Sequence, residues 1–174
     1  MATEQVEAAV AMTPEQKLAA ANKVVRNYSI GSVAPGLIPI PMLDLLALTS
    51  VQLKMLHSLS NVYGVPFSKN LGKEAITGLV GGVVPVSMTP MTASLVKMIP
   101  LVGQVAGAIS MGTLGGASTY AIGKVFTQHF ESGGTFLSFD PEKVRAYFAS
   151  ALEEGKKVVG GDAKAAPAAA TANA

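Results

Sequence analysis

Cysteine is absent from all 174 residues, which excludes disulfides, thiolate metal sites and thiol nucleophiles. Charge is also scarce. Asp, Glu, Lys and Arg make up 14% of the chain, against about 25% in an ordinary soluble domain. With a mean hydropathy of +0.42, the chain has too few charges to cover a soluble surface, so membrane or a large partner interface is expected. The 13 basic and 11 acidic residues form no dense basic block, which argues against nucleic acid as a partner. The two histidines, His57 and His129, have no acid or second histidine three or four residues away to build a metal site. The opening MATEQVEAAVAM lacks both a basic start and a continuous apolar core. It reads as no signal peptide, and the amino terminus is expected in a bacterial cytoplasm.

Catalytic motifs are missing as well. Gly123-Lys124 is followed by valine, with no glycine five residues before it, and Gly72-Lys73 is followed by glutamate, so neither is a phosphate-binding loop. Ser110 stands three residues after Gly107, one too many for a nucleophile elbow. The carboxylates fall at helix starts or on charged faces and offer no acid–base pair. The expectation is a protein that is not an enzyme and uses no cofactor.

What the chain has in abundance is small and apolar residues. Met98 to Gly123 holds 26 residues with no ionisable acid or base. As a helix it would reach about 39 Å, more than the roughly 30 Å of a bilayer's hydrocarbon. Its glycines recur at intervals of four: Gly103 and Gly107, Gly112 and Gly116, then Gly115, Thr119 and Gly123. Each set lines one helix face and lets a neighbouring backbone approach closely, offsetting the roughly 1 kcal/mol that a glycine costs a helix relative to alanine. A partner helix, from this chain or another copy, is expected. Between Ala75 and Gly123 the only ionisable residue is Lys97. Pro85 and Pro90 break the first half of that run, giving helical pieces over about 71–84 and 91–98.

The flanks read as amphipathic helices. Thr13-Pro14-Glu15-Gln16 has the form of a capping box with proline at the first helical position, and Leu18, Ala21, Val25 and Tyr28 follow on one face. Proline and glycine break 31–41. A second helix runs from Pro41 to Tyr63, closed by Gly64, with Ser50, Lys54, His57, Ser58 and Asn61 on its one polar arc. Asp44 sits in its first turn, near the centre of the apolar face. The plain reading is a carboxylate favoured by the helix start; a functional acid is the alternative. Ser132-Gly133-Gly134 ends the central helix, Thr135–Phe139 reads as extended, and Asp140-Pro141-Glu142 opens a last helix with Val144, Tyr147, Phe148, Ala151 and Leu152 as its apolar stripe.

IPIPMLDLLALTSVQLKMLHSLSNVYGVPFSKNLGKEAITGLVGGVVPVS, Ile99-Pro100 and GGASTYAIGKVFTQHFESGGTFLSFDPEKVRAYF together resemble the bacterial domain of unknown function found in YcjF-type proteins and fused to Era-like GTPase domains. The likeness spans about 24–157 and is most specific over Asp44–Tyr63 and Tyr120–Pro141. It implies a helical, membrane-associated domain, at times working with a GTPase. That family has no established catalytic residues to carry over. Any nucleotide switch would come from another polypeptide.

The expected fold is therefore all-α: a helical bundle with a central glycine-rich apolar hairpin over about 75–123, flanked by amphipathic helices. Residues 1–12 are expected to be flexible, 13–159 to form one domain, and 160–174 to be a disordered Ala-rich tail. Gly103, Gly107, Gly112, Gly116 and Gly123 are the candidate packing and interaction residues, and Asp44, Gln52 and Lys97 the candidate buried polar ones. The expected function is membrane scaffolding or membrane organisation at the cytoplasmic membrane. Its partners would be lipid, other copies or a separate GTPase, and its termini would lie on the cytoplasmic side. A soluble all-α interaction module is the second reading, and an enzyme with an apolar pocket around Asp44 the third.

Overall fold

The computed structural model describes residues 12–33, 41–87 and 102–170, with side-chain surroundings over 12–33, 46–81 and 112–160. Five α-helices and one 3-10 turn make up these residues: α1 (Pro14–Gly31), α2 (Pro41–Tyr63), α3 (Lys69–Ser87), α4 (Val102–Glu131), the turn Phe136–Ser138, and α5 (Arg145–Ala170). No strand occurs among the described residues. The fold is an all-α bundle.

Local chemistry sets most boundaries. At the start of α1, the Gln16 N–H donates to Thr13 Oγ1 (3.3 Å) while the Thr13 N–H donates to Gln16 Oε1 (2.9 Å), so two amides of the first turn are satisfied reciprocally. At the end of α2, Gly64 takes a φ of 69°, a left-handed conformation that a side chain would strain. The polar arc of α2 stays outward at Lys54 and His57, whereas Met55, Leu56 and Leu59 are fully buried.

α4 is the axis. α5 and α1 lie along it most extensively, α2 covers a further face, and α3 barely touches it. The two described halves of the expected hairpin thus pack on other helices rather than on each other. Residues 88–101, which include the expected piece 91–98 and Lys97, lie outside the described residues. Among those described, no helix is long and apolar enough to cross a membrane, so the described residues lend no support to the expected membrane-spanning helix. The cause is compositional, because glycine, serine, threonine and Gln104 dilute the apolar content of α4.

Four boundaries differ from the expectation. α3 runs on to Ser87, through Pro85. Thr135–Phe139 curls instead of extending: the Thr135 N–H donates to Ser138 Oγ (2.9 Å), the Ser138 N–H donates to Thr135 O (3.2 Å), and Phe136 is buried as a result. The last helix begins a turn later, at Arg145, after a turn over 141–144. It then continues to Ala170 through the segment expected as a tail, where alanine's high helix propensity favours it.

Five of the six phenylalanines gather at one end of the bundle. Phe126 stacks on Phe139 with ring centroids 4.4 Å apart, and meets Phe130 and Phe136 at 5.5 and 5.4 Å. Phe67 reaches Phe136 edge-on at 5.6 Å. Such tilted and edge-on pairs add to plain apolar burial, and they hold the loop after α4 against the start of α3.

Candidate functional site

The half of α4 that follows Met111 carries the features singled out by glycine spacing. A Cβ at Gly112 would lie 3.0 Å from the backbone oxygen of Val33, one at Gly116 would lie 2.8 Å from Ser29 O, and one at Gly123 2.6 Å from Val25 Cγ2. These contacts fix α1 antiparallel to α4, with 33 beside 112 and 25 beside 123. On the opposite flank, Gly155 of α5 faces Ala117, whose carbonyl oxygen would be 2.9 Å from an added Cβ. The sequence reading missed Gly155, because it stands alone among charged residues with no second glycine four positions away. Gly103 and Gly107 fall in the first turns of α4, and their surroundings lie outside the described residues.

Between α1, α2 and α4 runs a buried polar relay. Gln52 Nε2 donates to Thr119 Oγ1 at 3.3 Å, and Thr119 Oγ1 lies 3.0 Å from both Ser32 Oγ and Gly115 O. The threonine hydroxyl has one proton, so it serves one of these two acceptors at a time. Ser32 Oγ passes its own proton to Tyr28 O at 2.7 Å. Gln52, Thr119 and Ser32 are all at most 2% exposed, so each group depends on these partners. Gln52 was singled out in the sequence. Thr119 was noted only as a small residue in the glycine ridge, and Ser32 was not noted at all.

Asp44 lies in the first turn of α2, with its side-chain surroundings outside the described residues, as is all of Lys97. Among the described residues no group of three or more His, Cys, Asp or Glu side chains could hold a metal ion. His129 Nε2 lies 2.9 Å from Thr135 O, and His57 packs its ring 4.7 Å from that of Phe67. Both histidines thus brace loops. Tyr120 donates to Glu154 Oε1 at 2.7 Å, tying α4 to α5, and burial together with that carboxylate raises its pKa. Burial, then the nearby Glu131 carboxylate, likewise raises the pKa of Tyr63.

The packing also sorts charge along the bundle axis. Ser32 and Leu48 meet at Gly115, which brings residues 27–33 and 46–53, none of them charged, beside the uncharged residues 112–123. At this level three large apolar side chains face outward: Ile30 is 41% exposed, Leu46 67% and Leu114 44%. The opposite end holds the aromatic cluster, with the ion pairs Lys143–Asp140 (3.3 Å) and Arg145–Glu142 (2.9 Å) nearby. What the arrangement offers is a charge-poor end, whose helices carry Asp44, Asp162 and Lys164, with apolar side chains on its surface.

A family model described as a domain of unknown function (DUF697) matches residues 2–157. A protein of Magnetospirillum gryphiswaldense named magnetosome membrane protein 22 is 39% identical over 137 residues, covering 78% of this chain and 70% of that protein. No solved structure matches.

Proposed function

The chain belongs to the DUF697 family of domains of unknown function, and from that premise we propose that it is a non-enzymatic, membrane-associated protein that lodges its charge-poor end in the cytoplasmic membrane. The observation that carries this reading is the convergence of residues 27–33, 46–53 and 112–123, none of them charged, at one end, with Ile30, Leu46 and Leu114 exposed there. Exposed apolar side chains on a charge-poor surface favour lipid over water, whereas scattered ones among many charges need no explanation. A relative named as a magnetosome membrane protein supports the same reading. Since no described helix is long and apolar enough to cross, the proposed mode is insertion from one side, with the charged end facing the cytoplasm. Work there would be organising or scaffolding membrane, together with other copies or with a GTPase on a separate chain.

Fractionation of cells making the full chain tests the proposal. The protein should stay with the membrane pellet through a buffer wash and come off in nonionic detergent. Recovery of the chain in the soluble fraction would overturn it.

A further inference from the structure

The turn after α4 presents one large apolar side chain to solvent and holds it there. Thr135 and Ser138 close the turn through their reciprocal hydrogen bonds, and the Thr135 carbonyl oxygen also lies 2.9 Å from His129 Nε2. Phe136 and Phe139, on either side of Leu137 and Ser138, are drawn onto Phe126 with ring centroids 5.4 and 4.4 Å away. Leu137 is left 85% exposed, more than any other large apolar side chain described. Apart from Ala146, every other exposed position from 132 to 146 is polar, charged or glycine. An apolar centre within a polar rim is the anatomy of a protein contact, and fixing the central side chain beforehand lowers the entropy lost on binding.

The rim points to one kind of partner. Asp140, Glu142, Lys143 and Arg145 supply two charges of each sign, held as the surface pairs Lys143–Asp140 at 3.3 Å and Arg145–Glu142 at 2.9 Å. A partner of one charge sign, such as nucleic acid or an anionic bilayer, meets as much repulsion as attraction there. A second copy does not. When two identical patches face each other across a two-fold axis, the acids of one copy can meet the bases of the other because both signs are present. Exposed pairs of this kind contribute little to the fold, so each can open in favour of an equivalent pair across the contact.

We infer that Leu137 and this rim form an isologous contact between two copies of the chain. Leu137 of one copy packs on Leu137 of the other near the axis, with Asp140 and Glu142 facing Lys143 and Arg145 across it. The inference deepens the reading above, in which other copies are partners, by naming the surface they share. Its test is read in detergent, without a membrane, so it can fail while membrane association stands.

Sedimentation of the full-length chain in nonionic detergent, over a range of concentrations, tests the contact. The parent should pass from monomer to dimer as concentration rises, and Leu137→Asp should stay monomeric. Arg145→Glu makes the rim acidic and Glu142→Arg makes it basic. With like charges facing across the axis, each alone should dimerise at least about tenfold more weakly than the parent. Mixed in equal amounts, the two should recover the parent's affinity, which also shows that both are folded. Because the chain has no cysteine, mild oxidation adds a positional check: Leu137→Cys should yield a covalent dimer, whereas Leu18→Cys, 38% exposed on α1, should not. A parent that stays monomeric, variants that dimerise like the parent, a mixture no stronger than its components, or cross-linking at Leu18 as fast as at Leu137 would each overturn the contact.

Discussion

At the scale of single residues, the helical glycines of α3 and α4 are not equivalent, and the sign of an alanine substitution separates them. Alanine in place of glycine inside a helix ordinarily stabilises by about 0.5–1 kcal/mol. That gain is expected at Gly81, which is exposed and where an added Cβ meets no atom within 4 Å. At Gly116 the same methyl would meet Ser29 O and Val159 Cγ1, both at 2.8 Å. A backbone carbonyl cannot turn aside as a flexible side chain can, so overpacking should dominate and Gly116→Ala should cost about 1–3 kcal/mol. Gly123→Ala should behave alike, since Val25, only 1% exposed, has no room to rotate away. Thermal or denaturant unfolding of the three variants reads the result directly. A stabilising Gly116→Ala would mean that α1 and α4 do not approach as closely as the structure has them. The spacing of four made these positions legible in the sequence, but which helix fills each face was not, because the residues that do so, Val25, Ser29 and Val159, are ordinary members of their own helices.

Between elements, the Gln52–Thr119–Ser32 relay joins α2, α4 and the end of α1 through buried polar groups. Apolar packing alone tolerates small slips of one helix along another, whereas a hydrogen bond between buried groups holds only in one register. Thr119→Val keeps the shape and removes the hydroxyl, leaving the Gln52 amide without the acceptor it has at 3.3 Å. The expected cost is about 1–3 kcal/mol. Adding Gln52→Leu to that background should recover much of it, because replacing both partners with apolar groups removes the unpaired donor. Additive losses in this double-mutant cycle would show that the two residues do not depend on each other. Such long-range pairing is what single-sequence reading handles worst. The capping box at Thr13 and the Gly64 stop lie within a few residues of their partners and were readable. Gln52 and Thr119 are 67 positions apart, and no local pattern relates them. The curled Phe136–Ser138 turn was missed for a similar reason: its threonine and two phenylalanines suit a strand, but the phenylalanines of α4 draw Phe136 and Phe139 to one side.

For the molecule as a whole, the helical class and the central place of the glycine helix were legible from composition and spacing, while the division along the bundle axis was not. The sequence displays the charge-poor runs as separate stretches, and only the antiparallel pairing of α1 with α4 and the parallel run of α2 beside α4 bring them to the same end. That division gives an orientation that can be measured. Because the chain contains no cysteine, a single introduced thiol can be labelled uniquely. Leu46 and Leu137 make a matched pair, both strongly exposed at 67% and 85%, but Leu46 lies at the charge-poor end and Leu137 in the 3-10 turn beside the aromatic cluster. An environment-sensitive fluorophore attached to Leu46→Cys should shift to the blue when anionic vesicles are added and should be quenched by lipids brominated on their acyl chains. The same fluorophore on Leu137→Cys should do neither. Exposure alone would favour Leu137 as the inserting residue, so the experiment sets local hydrophobicity against the distribution of charge over the whole bundle. Quenching at Leu137 with none at Leu46 would reverse the orientation and reject the charge-poor end as the membrane-facing one. Quenching at Leu46 alone would place that end among acyl chains and leave the aromatic end in water.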